Sequence, residues 1–386
     1  MNTLVPPPAP IPALTLPRTL FAVGVIRALP GELENLGVCK PLIVTDAGLV
    51  AAGVAAKVVM ACGDAATAVL FDNVTENPLY ADVDAGAATY RAHGCDGVIA
   101  VGGGSVIDTA KMIALLATNG GSVADYAGKP HARHGRAAPL VVVPTTAGTG
   151  SEASPSAGIH PDAVTASVGM NSRHLVPQLA LLDPELTVSL PRRLTAATGI
   201  DALSHCIEGY LSLRDQPLGK SIALDGIRRV VRYLPRAVAD GQDLQARGEM
   251  MLAAFAGGVS IGMGLGPAHA IAITCSDQGF HHGILSGIGL IATLDATAAH
   301  DATRMTAVSE ALGLPAGASL AQAVATLMRE LGLPTGLAQL GYVATDLAAM
   351  ASAAECSHFN LFAPFRPDAS QYAAYLTQSL TPETNI

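Results

Sequence analysis

The sequence lacks several features that mark particular protein classes. It has no tryptophan, and only 14% of its residues are charged. No apolar stretch reaches the roughly 18 uninterrupted residues that suggest a membrane-spanning helix, because Gly, Pro or a charge breaks every Ala/Val/Leu run. The segment 1–17 carries six prolines and no basic region, which argues against a signal peptide. No membrane partner is therefore expected.

Basic clusters and paired cysteines are also missing. The formal net charge is −9 and Lys and Arg form no cluster, so no nucleic-acid partner is expected. The six cysteines stand far apart without a C-x-x-C pair, which argues against a disulfide framework and against a cysteine zinc site. Reduced cysteines favour a cytoplasmic location.

Apolar residues are abundant, at half of the chain, and 386 residues usually form more than one domain. Up to about residue 190, short β-branched runs at 41–45, 68–71, 97–101 and 139–143 alternate with helical stretches. Such runs, closed by Gly, Pro or Asp, are typical of parallel strands buried on both faces. They predict a Rossmann-like, doubly wound parallel α/β domain over residues 1–190.

The second half has a different texture. From Thr195 onward strand-like runs vanish, and helical spacing dominates at 222–234, 247–263, 284–300 and 319–331. The pattern predicts an all-α helical domain over residues 191–386.

Two glycine-rich segments follow predicted strands. The run Gly102–Asp108 (GGGSVID) leads directly into a helical stretch, where backbone N–H groups and the helix dipole can meet a phosphate. It does not match G-x-G-x-x-G, and a tight turn alone would also need its glycines. The run Pro144–Glu152 (PTTAGTGSE) follows the next strand and adds three threonine hydroxyls. Both loops are expected at the carboxyl edge of the sheet, where such folds bind ligands.

A carboxylate at Asp46 ends the first of these strands. It can hydrogen-bond the adenosine ribose of NAD and repel the 2′-phosphate of NADP, although an ordinary turn Asp would look the same.

In the second half, Asp201 and His205 stand one helical turn apart, so both side chains can reach one cation. His269 and the pair His281-His282 follow in a glycine-rich helical region. Four N and O donors without thiolate suit Fe(II) or Zn(II) and do not separate the two. Spacing alone leaves alternatives open: a surface Asp/His hydrogen bond, a core histidine, or a helix start.

Five motifs occur in order: GGGSVIDTAK, PTTAGTGSE, DPELT, TAATGIDALSHCIE and a late HHG. Together they resemble the iron-containing alcohol dehydrogenase family over roughly residues 20–300, most nearly its 4-hydroxybutyrate dehydrogenases. The resemblance implies a dehydroquinate synthase-like fold, a homodimer, and metal-dependent, NAD(P)-linked hydride transfer with a small alcohol or aldehyde. Succinic semialdehyde is the leading substrate. The alternatives are phosphonoacetaldehyde, a metal-free enzyme like the maleylacetate reductases, and a non-enzymatic nucleotide-binding protein.

The resemblance also implies site residues. The metal ligands are Asp201, His205, His269 and His282. Contacts to NAD, or to NADP, come from Asp46, Asn77, Gly103, Gly104, Ser105, Thr145, Thr146, Thr149 and Leu186, and Asp108 is predicted with them.

Three departures from the family pattern matter. One is Ser167, which stands where many members have a Lys between the GTGSE and DPELT motifs. Ile273 stands where most members have a second histidine, four residues after His269, that takes part in proton transfer. The proton must then travel by water, by the cofactor ribose or by His281, and His281 is the candidate catalytic residue. The segment 274–280 is shorter than in the family, so substrate specificity does not carry over. Cationic candidates for binding an acidic substrate are Lys129, Arg173 and Arg366.

Overall fold

The computed structural model describes residues 13–63, 68–129 and 134–381. The first half contains eight strands: β1 Arg18–Phe21, β2 Pro41–Val44, β3 Val69–Phe71, β4 Gly97–Gly102, β5 Leu140–Pro144, β6 Ser156–Ile159, β7 Val168–Asn171 and β8 Leu179–Leu182. Six of them form one fully parallel sheet in the order β1-β8-β5-β4-β2-β3. The antiparallel pair β6-β7 forms a separate hairpin.

Five helices accompany the sheet: α1 Leu29–Leu36, α2 Ala47–Ala51, α3 Val54–Ala61, α4 Tyr80–His93 and α5 Gly104–Asn119. Alternate residues of the central strands enter two different cores, as strands buried on both faces require. Val98 and Ala100 of β4 pack in the core that contains α4 and α5. Ile99 and Val101 pack on the opposite face, with α1 and α3. The predicted doubly wound α/β sheet is confirmed.

The regular secondary structure of the second half is entirely helical within the described residues. It contains α6 Arg192–Leu211, α7 Pro217–Ala239, α8 Leu244–Ile261, α9 Pro267–Thr274, α10 His282–Ala298, α11 Ala302–Ala311, α12 Leu320–Glu330, α13 Leu337–Leu340, α14 Leu347–Glu355 and α15 Ala369–Leu380. This confirms the predicted all-α second half. None of the helices within the described ranges is long and apolar enough to cross a membrane.

Three strand features were not predicted. β8 has the sequence LALL, and Leu and Ala favour helices when judged by intrinsic propensity. β1 lies at the sheet edge with partly exposed residues, so it shows no continuous buried run. The β6-β7 hairpin is short and carries glycine in both strands. In each case the neighbouring strand, and not the local sequence, supplies the stabilising contacts.

Candidate active site

The two glycine-rich loops lie side by side at the carboxyl edge of the sheet. β4 and β5 are neighbours, and their last residues, Gly102 and Pro144, are paired. A Cβ atom on Gly104 would lie 2.8 Å from Cγ2 of Thr149, so the first loop touches the second and has no room for a side chain there. The expectation that both loops share one edge of the sheet is met.

Helix α5 begins at this edge, directly after β4. Gly103 is its N-cap and offers no side chain to accept a hydrogen bond. The first N–H groups of a helix have no partner inside the helix, which suits a phosphate. Ser105 donates a hydrogen bond to the carbonyl of Glu76, which places the exposed Asn77 beside the same turn.

The remaining predicted cofactor residues differ in what they already contact. The Asp46 carboxylate caps α2 by accepting the N–H of Leu49 at 2.9 Å. Asp108 turns to the β6-β7 hairpin, where it accepts the N–H of Gly158 at 2.9 Å. Leu186 and Thr145 are buried, with exposed fractions of 3% and 5%, whereas Thr146 and Thr149 are half-buried. The cofactor role of these residues stays a prediction.

The second loop also joins the sheet to the helical half. Gly150 has a φ of +66°, and a Cβ atom there would lie 2.3 Å from the backbone nitrogen of Gly258 in α8. At Gly148, a Cβ atom would lie 2.3 Å from the carbonyl oxygen of Thr198 in α6. Glycine therefore lets the loop lie directly on α6, one turn before Asp201.

Asp201, His205, His269 and His282 converge from three helices. One donor atom from each of them lies within 4.8 Å of the other three. The Asp201 carboxylate oxygen Oδ1 is 3.9 Å from Nε2 of His205 and 3.8 Å from Nε2 of His282. Two donors about 2.1 Å from one ion lie roughly 3.4 Å apart in tetrahedral geometry and at most about 4.2 Å apart when opposite. Both distances fall in that range.

The local sequence explains how His282 comes to lie beside Asp201. It is the first residue of α10, and the following residue is Gly283. A Cβ atom on Gly283 would lie 2.2 Å from the carbonyl oxygen of Ala197 in α6. The missing side chain thus brings the start of α10 against α6 beside Asp201.

The donor set fits a divalent transition metal. Nε2 of His269 is buried and has no hydrogen-bond partner among the described residues. Burial lowers the pKa of His205 to about 4 and also lowers the pKa of His282, so both imidazoles are neutral near pH 7. Burial by itself would raise the pKa of Asp201, but the surrounding histidines hold that pKa below its ordinary value. One carboxylate and neutral imidazoles are the protonation states that metal binding needs.

Glu208 is a member of this site that was not predicted. It lies on α6 and its carboxylate oxygen Oε2 is 2.6 Å from Nδ1 of His269. The available signal was its place in the motif DALSHCIE, seven residues after Asp201 and three after His205, on one face of a helix.

His281 lies next to the cluster as the N-cap of α10, where its Nδ1 accepts the N–H of Gly283 at 3.1 Å. Burial lowers its pKa. Ile273 is on α9, one turn beyond His269.

The three cationic candidates lie in different places. Lys129 and Arg173 are exposed. Their neighbours Tyr126 and His174 lie around the C-terminal end of α5, the end opposite to the glycine turn. Arg366 is exposed and follows the segment of Phe359, whose ring lies 5.6 Å from that of His269. Of the three, Arg366 alone belongs to a segment that contacts the cluster.

Comparison with known proteins matches most of the chain to one family. Residues 17–184 match the family profile described as iron-containing alcohol dehydrogenase, and residues 195–377 match the one described as Fe-containing alcohol dehydrogenase family, C-terminal. A 4-hydroxybutyrate dehydrogenase from Cupriavidus necator is 42% identical over 370 residues, covering 92% of this chain and 96% of that protein.

Solved structures show the same likeness. A 1,3-propanediol oxidoreductase superposes with a TM-score of 0.91 at 30% identity, over 95% of this chain and 99% of its own. A sulfoacetaldehyde reductase from Bifidobacterium kashiwanohense, in complex with NAD+, gives a TM-score of 0.91 at 27% identity, over 97% and 100%. The predicted enzyme class, an NAD-linked alcohol dehydrogenase, is thereby confirmed, and the chain belongs to the iron-containing alcohol dehydrogenase family.

Proposed function

We propose that the protein interconverts 4-hydroxybutyrate and succinic semialdehyde, with NAD as cofactor and Fe(II) or Zn(II) bound by Asp201, His205, His269 and His282. The convergence of these four side chains beside the glycine-rich edge is the observation that carries the proposed chemistry. The substrate is supported by the 42% identity to a 4-hydroxybutyrate dehydrogenase.

The chain's part in this reaction is to hold two reacting carbons together in a cleft that excludes water. A metal held there would supply Lewis-acid polarisation of the substrate oxygen, and NAD would supply the hydride acceptor or donor at its nicotinamide ring. The half-buried Thr146 and Thr149, together with the first turn of α5, would hold the cofactor phosphates. Asp201 and the three histidines would hold the metal, one turn of α6 away from the loop.

Oxidation of the alcohol also releases a proton, and we propose that His281 accepts it. Its Nδ1 accepts the Gly283 N–H, so in the neutral ring the proton is on Nε2. Replacing His281 by Asn keeps a side chain that caps helices well and removes the titrating ring. We expect His281→Asn to alter the pH dependence of kcat/KM. We expect Ile273→His to alter it as well, because it adds a titrating ring at another position. If neither does, no side chain at these two positions carries the proton.

We propose Arg366 as the partner of the substrate carboxylate. The variant Arg366→Gln should raise the KM for succinic semialdehyde and leave the KM for butyraldehyde, an uncharged aldehyde of the same length, unchanged. Equal effects on the two aldehydes would contradict this assignment.

An activity screen tests the proposed function directly. Small aldehydes, semialdehydes and diols are assayed with NAD(H) and NADP(H) after addition of Fe(II) or Zn(II). We expect the highest kcat/KM for succinic semialdehyde with NADH. A higher value for phosphonoacetaldehyde or for an uncharged diol would replace the proposed substrate without affecting the metal chemistry.

Two further alternatives are tested by separate measurements. A metal-free enzyme is disfavoured because all four donor positions are filled. Elemental analysis showing less than about a tenth of an equivalent of Fe plus Zn, with no gain of activity when they are added, would establish it. A non-enzymatic protein would show binding of NADH by fluorescence but no turnover in the screen.

We also propose two domains, 1–190 and 191–386, and a cytoplasmic homodimer. The boundary is supported by the change from strands to helices between β8 and α6. The six cysteines are all unpaired, which suits a reducing compartment. Phe21 on the edge strand β1 is 43% exposed, as an interface residue would be in the isolated chain. Light scattering after size-exclusion chromatography measures the oligomeric state.

A further inference from the structure

Glu208 connects two of the helices that form the metal cluster. It lies on α6, which also carries Asp201 and His205, and it is 5% exposed. Its oxygen Oε1 accepts the N–H of Ala268 at 2.7 Å, and Oε2 accepts the N–H of His269 at 3.3 Å. Both of these N–H groups belong to the first turn of α9.

Glu208 therefore caps a helix other than its own. The N-cap residue of α9 is Gly266, which has no side chain to accept a hydrogen bond. The first N–H groups of a helix need an acceptor from elsewhere. A Cβ atom on Gly266 would lie 2.9 Å from Oε1 of Glu208, so the glycine leaves the room that the carboxylate occupies.

The same carboxylate also meets the His269 ring, since Oε2 lies 2.6 Å from Nδ1. An ionised carboxylate only accepts hydrogen bonds, and this one already accepts from two backbone N–H groups. Nδ1 of His269 must then carry the proton and donate it. Nε2 is left with its lone pair, and it is the atom that is buried without a partner among the described residues.

We propose that Glu208 is a positioning residue for the metal: it sets the tautomer and the ring orientation of His269 and so raises the metal affinity. This inference rests on the proposed metal site. Helix α6 then has two roles: it supplies two ligands, and it orients a third ligand that lies on α9. Carboxylates that hold a ligating histidine in this way typically change metal affinity by about 10- to 100-fold.

The variant Glu208→Gln tests the proposal. Glutamine has the same size but only one acceptor oxygen, so it cannot serve both the N–H groups of α9 and Nδ1–H of His269. If its NH2 group meets Nδ1, the ring proton moves to Nε2 and blocks the metal. The matched control is Glu249→Gln on α8, a half-buried glutamate that pairs with Arg229 and lies outside the cluster.

Metal-stripped proteins are titrated with Zn(II) in competition with a chelator of known affinity. We expect about 10- to 100-fold weaker binding for Glu208→Gln and an unchanged Kd for Glu249→Gln. A Glu208→Gln Kd equal to the wild-type Kd would overturn the proposal. If wild type itself does not bind one equivalent of Zn(II), the metal site fails, which is a distinct result.

A second measurement uses the wild-type protein and so does not depend on a variant that folds. Nitrogen-15 NMR of the metal-free protein, labelled at histidine, reports which ring nitrogen carries the proton, with the His269 signal assigned by its loss in His269→Gln. We expect a protonated Nδ1 and an unprotonated Nε2. The opposite tautomer would contradict the proposal.

Discussion

The cofactor edge and the metal cluster are built from different parts of the chain. The edge consists of backbone turns and small residues that follow neighbouring strands, and Thr149 leaves no room for a Cβ atom on Gly104. The metal cluster consists of side chains from α6, α9 and α10 that meet in a buried space. The edge should therefore be sensitive to added volume, and the cluster to the loss of charge or of a lone pair. Four predictions test this contrast.

The largest effect is expected from Asp201→Asn, which keeps the side-chain volume and removes the negative charge of the cluster. Loss of the metal's several kcal/mol of catalytic stabilisation should lower kcat/KM roughly 1000-fold. The bound metal, measured by elemental analysis, should be lost, while the Kd for NADH should not change. Asp225→Asn, at an exposed ion pair on α7, is the control. Retention of metal by Asp201→Asn would contradict the role of this carboxylate.

The opposite pattern is expected from Gly104→Ala, which should weaken NADH binding and leave the metal bound. The added Cβ atom lies too close to Thr149, and such overpacking costs about 1–3 kcal/mol, which corresponds to about 5- to 150-fold weaker NADH binding. The metal content should stay at the wild-type value. Gly31→Ala in α1 is the control, because no atom lies within 4 Å of its Cβ position. Adding Thr149→Ser to Gly104→Ala removes Cγ2 and should restore part of the affinity for NADH. Unchanged binding in Gly104→Ala would place the cofactor elsewhere.

A smaller effect concerns the choice between NAD and NADP. Asn caps helices as well as Asp, so Asp46→Asn should keep α2 intact and remove only the negative charge. We expect kcat/KM with NADP to rise about tenfold relative to NAD, because the repulsion of the 2′-phosphate is lost. The ratio of the two kcat/KM values is the measurement. A wild-type enzyme that already prefers NADP would defeat this prediction.

The last prediction concerns stability and not activity, and it involves two buried titratable residues, Lys111 and Glu152. Lys111 of α5 is fully buried and donates to Ser154 and Ser156, and burial lowers its pKa to about 8. Glu152 is 2% exposed, and burial raises its pKa to about 7.

The sign of the pH effect follows from these values. Between about pH 4.5 and 7 the unfolded chain has an ionised Glu152 and the folded protein does not, so the folded state loses stability as the pH rises. Glu152→Gln removes this loss. Relative to wild type, the variant should gain about 3 kcal/mol between pH 4.5 and 7.5, or a few degrees in Tm. A difference in Tm that is independent of pH would show that Glu152 does not titrate in this range.

The sequence predicted much of the cofactor edge and of the cluster. Four strands, β2 to β5, were predicted to within two residues, because parallel strands buried in a sheet leave continuous apolar runs. The four proposed metal ligands were identified from the ordered motifs, and the structure brings them within 4.8 Å. β8 was missed because its LALL sequence favours a helix when isolated.

The sequence by itself determined the alternation of four strands with helices in the first half, the helical second half and the four proposed metal ligands, because these depend on periodicity and on motifs that are local in the chain. Only the tertiary structure decided how the proposed ligands are held. Glu208 meets Ala268 and His269 across 60 and 61 residues of sequence, and Gly266 leaves it room. Such contacts depend on how closely α6 and α9 approach, a distance that no local pattern encodes. The metal cluster's residues are therefore evident in the sequence, but their orientation is a property of the fold.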